Sequence, residues 1–193
     1  MPIGLLVWAG VAAASAQVQP VDRLVAVVEQ RALTASDLRV ATRLGSIAGN
    51  APDEVALVDQ LVARELVWHE MERFAVPEPA RERVEARMAA LASGRSLDDF
   101  LAELATLGVS RDGVRRIVAD DLRIAAYIEQ RFTAAAQPTD VEVATRAAAD
   151  GDTSAEGLAE ARRALVAERT QALVADWVAG LRRRASVRMA VGP

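Results

Sequence analysis

The sequence predicts a mostly α fold: a multi-helix domain with a small β element that pairs an N-terminal hairpin with a C-terminal strand. Three observations carry this expectation. The composition is rich in Ala, Leu, Arg and Glu, which favour helix, and only 4% of residues are aromatic. Strand-like, β-branched runs occur only near the ends, at Val21-Asp22-Arg23-Leu24-Val25-Ala26-Val27-Val28 and at Ser186-Val187-Arg188-Met189-Ala190-Val191. Between them, capping residues and Pro or Gly breaks recur at helix-length intervals. A lone strand at each end of a helical chain is unstable unless the two meet, so the ends are expected to pair.

The elements follow in order. Leu24 to Val28 reads as a strand, Glu29-Gln30-Arg31 turns it, and Ala32-Leu33 returns. Thr34-Ala35-Ser36-Asp37 has capping-box spacing and opens a short helix from Ala35 to about Ile47. Gly45 and Gly49-Asn50 weaken its end, and Pro52 marks the next start. Asp53 to Ala75 reads as a long helix with Val55, Val58, Leu61, Val62, Leu66 and Met71 inward. Val76-Pro77-Glu78-Pro79 breaks it. Arg81 to Ala92 follows, with Val84, Met88 and Leu91 on one face. Ser96 caps a helix carrying Leu97, Phe100, Leu101 and Leu104, which stops at Gly108. Ser110 caps a longer one with Val114, Ile117, Val118, Ile124, Ile128 and Phe132 as its buried stripe. Ala134 to Pro138 is a linker, and Thr139 caps a weak helix through about Ala148. Asp150-Gly151-Asp152-Thr153-Ser154 is a turn. A final helix runs from about Ala155 to Ala185, with Leu158, Leu165, Leu173, Trp177 and Leu181 inward. Arg182-Arg183-Arg184 sit in its last turn, where cations favour the helix dipole.

Residues 1–16 carry no charged side chain. Ile3 to Val11 is an apolar run of signal-peptide length, and Ala14-Ser15-Ala16 is an A-x-A cleavage site before Gln17. The expectation is a signal peptide over 1–16, cleavage after Ala16 and a periplasmic mature protein, although no Arg or Lys precedes the run. The membrane is then met only transiently. The chain of 193 residues fits one domain, or a domain with an arm. All 23 basic residues are Arg, a genomic composition bias in the first instance, and the net charge of −4 argues against a nucleic-acid partner. The absence of Cys removes thiol catalysis and thiolate metal sites.

Candidate chemistry is sparse. His69 lies four residues after Glu65, half a metal or base site, but it is the single His in the chain. Asp98-Asp99 and Asp120-Asp121 are helix neighbours about 100° apart, so they do not share a proton. The serines occupy caps, turns or the leader, and no nucleophile elbow, phosphate loop or dinucleotide fingerprint is present. No catalytic, cofactor or metal residue is assigned, and neither a cofactor nor a nucleotide is expected. The large apolar side chains Trp68, Met71, Phe74, Met88, Phe100, Tyr127, Phe132 and Trp177 remain. Most of them read as core. Trp68, Met71 and Phe74 cluster at a helix end, and they are the expected lining of a groove for apolar client segments.

The order of these pieces resembles the SurA-type periplasmic chaperones. Val25-Ala26-Val27-Val28, a turn and Leu33-Thr34-Ala35-Ser36-Asp37-Leu38 look like that family's opening. Val76-Pro77 before an Arg-rich helix is similar to its next junction. Ser96-Leu97-Asp98-Asp99-Phe100 through Leu107-Gly108-Val109-Ser110 resembles its helix-turn-helix, and Arg115-Arg116-Ile117 through Ile128 the long helix after it. Pro138-Thr139-Asp140-Val141-Glu142 looks like the exit segment. Trp177 to Arg182 with Val187-Arg188-Met189 resembles the returning helix and strand. The turn Glu29-Gln30-Arg31 departs from the family's Gly-containing pair. Between Val143 and Ser154 there is no room for an inserted parvulin isomerase domain, and the parvulin histidines have no counterpart.

The resemblance implies a chaperone core over 17–193, with a helical region at 21–133, an exit segment at 134–153 and a returning helix and strand at 154–191. It implies an exported, non-enzymatic protein that holds unfolded or partly folded envelope proteins, outer-membrane proteins among them. Two alternatives stand beside it. One is a dedicated envelope assembly partner, with the helix from Thr139 to Ala148 as its contact. The other is an enzyme related to peptidyl-prolyl isomerases.

Overall fold

The computed structural model describes residues 22–190. The leader expected over 1–16 and its cleavage site lie outside the described residues. β1 (Leu24–Val28) and β2 (Arg31–Thr34) are followed by α1 (Ala35–Arg43), α2 (Glu54–Glu72), α3 (Arg81–Leu91), α4 (Leu97–Thr106) and α5 (Arg111–Phe132). Then come α6 (Asp140–Asp150), α7 (Ala155–Arg184) and β3 (Val187–Met189). The fold is mostly α with a small antiparallel sheet of order β2-β1-β3.

The two ends meet. β1 is the central strand: Val28 pairs with Arg31 and Val187, Val27 with Ala32 and Arg188, and Ala26 with Leu33 and Met189. Being central explains its burial, since Val25, Ala26 and Val28 are wholly enclosed. The hairpin turn places Glu29 in the left-handed region at φ 54°, where a non-Gly residue is strained. What offsets that strain is a clamp onto the C-terminal segment. The Glu29 N–H donates to the Ser186 carbonyl at 2.7 Å, and the Ser186 N–H donates back to the Glu29 carboxylate at 3.1 Å. A glycine would satisfy the turn and lose the second of these bonds.

Side-chain caps explain where the helices begin. Thr34 and Asp37 close a capping box on α1, and Thr139 and Glu142 close one on α6. Asp53, Ser96, Ser110 and Ser154 each accept an N–H from the first turn of α2, α4, α5 and α7. Each such cap contributes about 1 kcal/mol. Gly151, at φ 81°, ends α6 in the left-handed conformation that glycine adopts without penalty. The chain then enters α7 through residues 151–154, with no domain between the two helices.

Two buried clusters make the body. The first joins the sheet to α1, α2 and the end of α7 through Val25, Val28, Leu33, Val58, Leu66 and Leu181, among others. The second joins the outer face of α1 to α3, α4 and α5 through Val40, Leu44, Met88, Phe100, Leu104 and Val118. α1 sits between them, with Leu38 and Ala41 facing one and Val40 and Leu44 the other. α2 is the central helix, touching β1, α1, α5 and α7. α6 and the first half of α7 form a separate helical hairpin, the arm, closed over Val143, Ala147 and Ala161.

Several expectations are corrected. α1 ends at Arg43 rather than near Ile47, because Gly45 turns the chain at φ 66° and Leu44 and Ile47 then pack from the turn. Val55 is exposed, since the first turn of α2 has no neighbour on that side. α7 buries Leu181 in the body, whereas Leu158, Leu165, Leu173 and Trp177 are half-buried. For Leu158 and Leu165 the reason is that the arm covers α7 with a single helix.

Candidate functional site

The three residues expected to line a groove do not share a surface. Met71 is fully enclosed and belongs to the interior. Trp68 is half-buried, edge-on to His69 with ring centroids 5.1 Å apart, and lies beneath the Arg31 guanidinium at 5.9 Å. Phe74, in the turn after α2, is 46% exposed and faces another way. Helical spacing sets the angle of each residue about α2, but what stands opposite at each level decides its fate.

Phe74 belongs to an aromatic ladder that reaches from the α2–α3 loop to α7. Its ring lies 5.3 Å from Tyr127, Tyr127 lies 5.9 Å from Trp177, and Trp177 meets Phe132 edge-on at 5.6 Å. Tilted and edge-on pairs are the favoured arrangements for such rings. The α5 residue Arg131 lies over both Trp177, at 5.2 Å, and Phe132, at 5.6 Å. Beside the ladder is an open groove of about 640 Å³, with Phe74, Ala75, Val76 and Pro77 on one wall and Tyr127, Gln130 and Arg131 on the other. The loop wall exists because Pro77 and Pro79 prevent α2 from running on into α3. Burial pushes the Tyr127 phenol above its ordinary range.

Sequence reasoning found Phe74 but missed Arg131, and it left Tyr127, Phe132 and Trp177 undivided among core candidates. Part of the signal was present. Tyr127 and Arg131 are four residues apart on α5, a spacing that places them on one face. Trp177 lies 50 positions from Tyr127 in sequence, and no local pattern relates them.

A second cluster surrounds Glu65, which is 1% exposed. Its Oε1 lies 3.4 Å from Arg31 and 3.3 Å from His69, yet makes no well-directed hydrogen bond. Burial raises the Glu65 carboxyl above the usual carboxylate range, and Arg31 and His69 oppose that rise. His69 borders a cavity of about 380 Å³ whose other polar residues are Glu29, Glu70, Arg73 and Arg184. A carboxylate behind a histidine is the arrangement of a base and its orienter. No hydroxyl or thiol residue lines that cavity to serve as nucleophile. Among the described residues, no three His, Asp or Glu side chains gather to hold a metal ion.

Comparison with known proteins adds no relationship: no family model matches the chain, and no curated protein is similar to it. Among the described residues no helix is long and apolar enough to cross a membrane.

Proposed function

We propose that the protein is an exported chaperone-like binding module, which holds apolar segments of unfolded or partly folded envelope proteins in the groove between Phe74 and Arg131. The observation that supports this reading is the ladder itself. A half-exposed Phe74 stacked on Tyr127 offers apolar area beside an open channel. Fully burying one such side chain contributes about 1.5–3 kcal/mol. Aromatic faces accept many side chains, which suits weak and broad recognition. Holding a chain in this way requires no chemical step.

The test is suppression of aggregation when an unfolded outer-membrane protein is diluted from denaturant, followed by light scattering. The protein is expected to suppress scattering at modest molar excess. Phe74→Ser is expected to weaken suppression severalfold with an unchanged melting temperature, because Phe74 is outside the buried clusters. Full aggregation at every ratio, with no complex detected, overturns the reading. A dedicated assembly partner is the second reading. It draws on Val141, 76% exposed on α6, and is favoured if a pull-down from envelope extract returns one stoichiometric protein that Val141→Asp releases.

A further inference from the structure

The guanidiniums near the groove differ in how they are neutralised. Arg123, two turns earlier on α5, is 2.9 Å from Glu72 and is also met by Glu78 and Asp120. Arg73 reaches Glu70 at 3.4 Å. Arg131 meets no carboxylate among the described residues. Its one side-chain hydrogen bond is a long one, 3.5 Å, donated to the Tyr127 hydroxyl. An exposed arginine without an ion pair is ordinary in itself. Arg131 differs because two aromatic rings hold it in place on the wall of an apolar groove. Contact with a ring face engages the guanidinium plane and leaves its N–H edge free for a carboxylate.

We propose that this groove selects an internal, extended segment of a client chain in which an aromatic side chain stands close to an Asp or Glu. The aromatic ring packs on Phe74 and Tyr127, and the carboxylate takes the free edge of Arg131. The assignment rests on the chaperone-like reading above and narrows its clients. Charge complementarity commits the occupant to an acidic group, since the cation at the wall has no carboxylate partner among the described residues. The loop wall argues for a side-chain carboxylate over a chain terminus. Terminal carboxylates are captured by clustered free backbone N–H groups. Here the Phe74 and Val76 N–H groups already donate to the Met71 and Phe74 carbonyls and Pro77 has none, which leaves the single Ala75 N–H and no cluster.

Fluorescence anisotropy with short dye-labelled peptides, the first two of them blocked at both ends, tests the assignment. One peptide carries an internal Phe beside Asp, a second carries Asn in place of that Asp, and a third ends in Phe with a free carboxylate and no acidic side chain. The Asp peptide is expected to bind about fivefold tighter than the Asn peptide, as one exposed charge-assisted pair allows. That advantage is expected to vanish in Arg131→Gln and in high salt, and to survive in part in Arg131→Lys, which keeps the charge without the planar fork. Phe74→Ser is expected to weaken the Asp and Asn peptides alike. Equal binding of the Asp and Asn peptides, or an advantage that persists in Arg131→Gln, overturns the proposal. So does tightest binding of the peptide with the free terminus. If no peptide binds while aggregation is still suppressed, this assignment fails and the broader reading stands; if both fail, both fall.

Discussion

Among the described residues, thirteen buried side chains lock the sheet, α1, α2 and the end of α7 together, and ten more fasten α3, α4 and α5 onto α1. The arm, built from the same Ala-, Leu- and Arg-rich composition, closes over three. Its two helices are joined instead at the surface, by Arg162 to Asp140 at 2.6 Å, Arg146 to Glu168 at 3.0 Å, and Arg169 to Glu142. Exposed pairs of this kind each contribute about 0–1 kcal/mol and are screened by salt. Similar helices are thus held by burial in one place and by surface charge in the other. Stability is expected to concentrate in the body, and local opening in the arm. Trp177 lies on α7 where the two regimes meet, and the aromatic ladder ends there on the body side.

The largest expected effect separates the two regions by core truncation. Met71→Ala is expected to lower global stability by about 2–5 kcal/mol, the usual cost of emptying an enclosed site. Val143→Ala in the arm is expected to leave the main melting transition in place and to speed hydrogen exchange in α6 alone. Denaturant titration alongside exchange mass spectrometry reads both. A global loss from Val143→Ala as large as that from Met71→Ala breaks the distinction.

Next in size is the closure of the body by its own ends. Deleting residues 186–193 removes the β3 pairs, the Glu29 clamp and the half-buried Val187 from the first cluster. Each lost backbone bond costs about 0.5–1.5 kcal/mol. The truncated chain is expected to melt lower by a clear margin, in the body and not only at its end. An unchanged melting temperature means the sheet does not depend on β3.

The smallest effect is in pH, and its sign differs between the regions. Glu65 has a raised carboxyl in the fold, mainly through burial. Its contribution is therefore complete below the ordinary value of 4.5 and is lost as pH rises through the higher folded value. Glu142 is lowered from 4.5 to about 2, first by the Thr139 backbone N–H, then by its hydroxyl and by Arg169. Its contribution is present above 4.5 and is lost as pH falls through about 2. Acidification from neutral toward pH 4.5 is expected to strengthen the body through Glu65, and Glu65→Gln to remove part of that gain. Further acidification is expected to open the arm first, seen as early loss of protection in α6. Parallel behaviour of the two regions across both intervals refutes the assignment of these two carboxylates.

Much of the fold was legible because its signals are local. Thr34 with Asp37, and Thr139, Ser96 and Ser110, read as caps and place helix starts within a residue, whereas the structure adds Asp53 and Ser154 as caps and Glu142 as the partner of Thr139. Glu29 was visible only as a departure from a glycine turn, and its purpose lies 157 residues away at Ser186. The groove was half legible. Phe74 could be selected as a large apolar residue at a helix end, but Met71 and Phe74, three positions apart, have opposite fates. Nothing local tells them apart.

The sequence by itself determined the helical character, the helix starts and the strand at each end, because propensity, capping and two-residue alternation are properties of neighbouring residues. Tertiary structure alone decided that Met71 is enclosed and Phe74 open, that Trp177 completes a ladder begun in the α2–α3 loop and on α5, and that Arg131 stands over it without a carboxylate among the described residues. Exposure and pairing depend on what lies across a few ångströms of space, and in a folded chain that neighbour can come from any position.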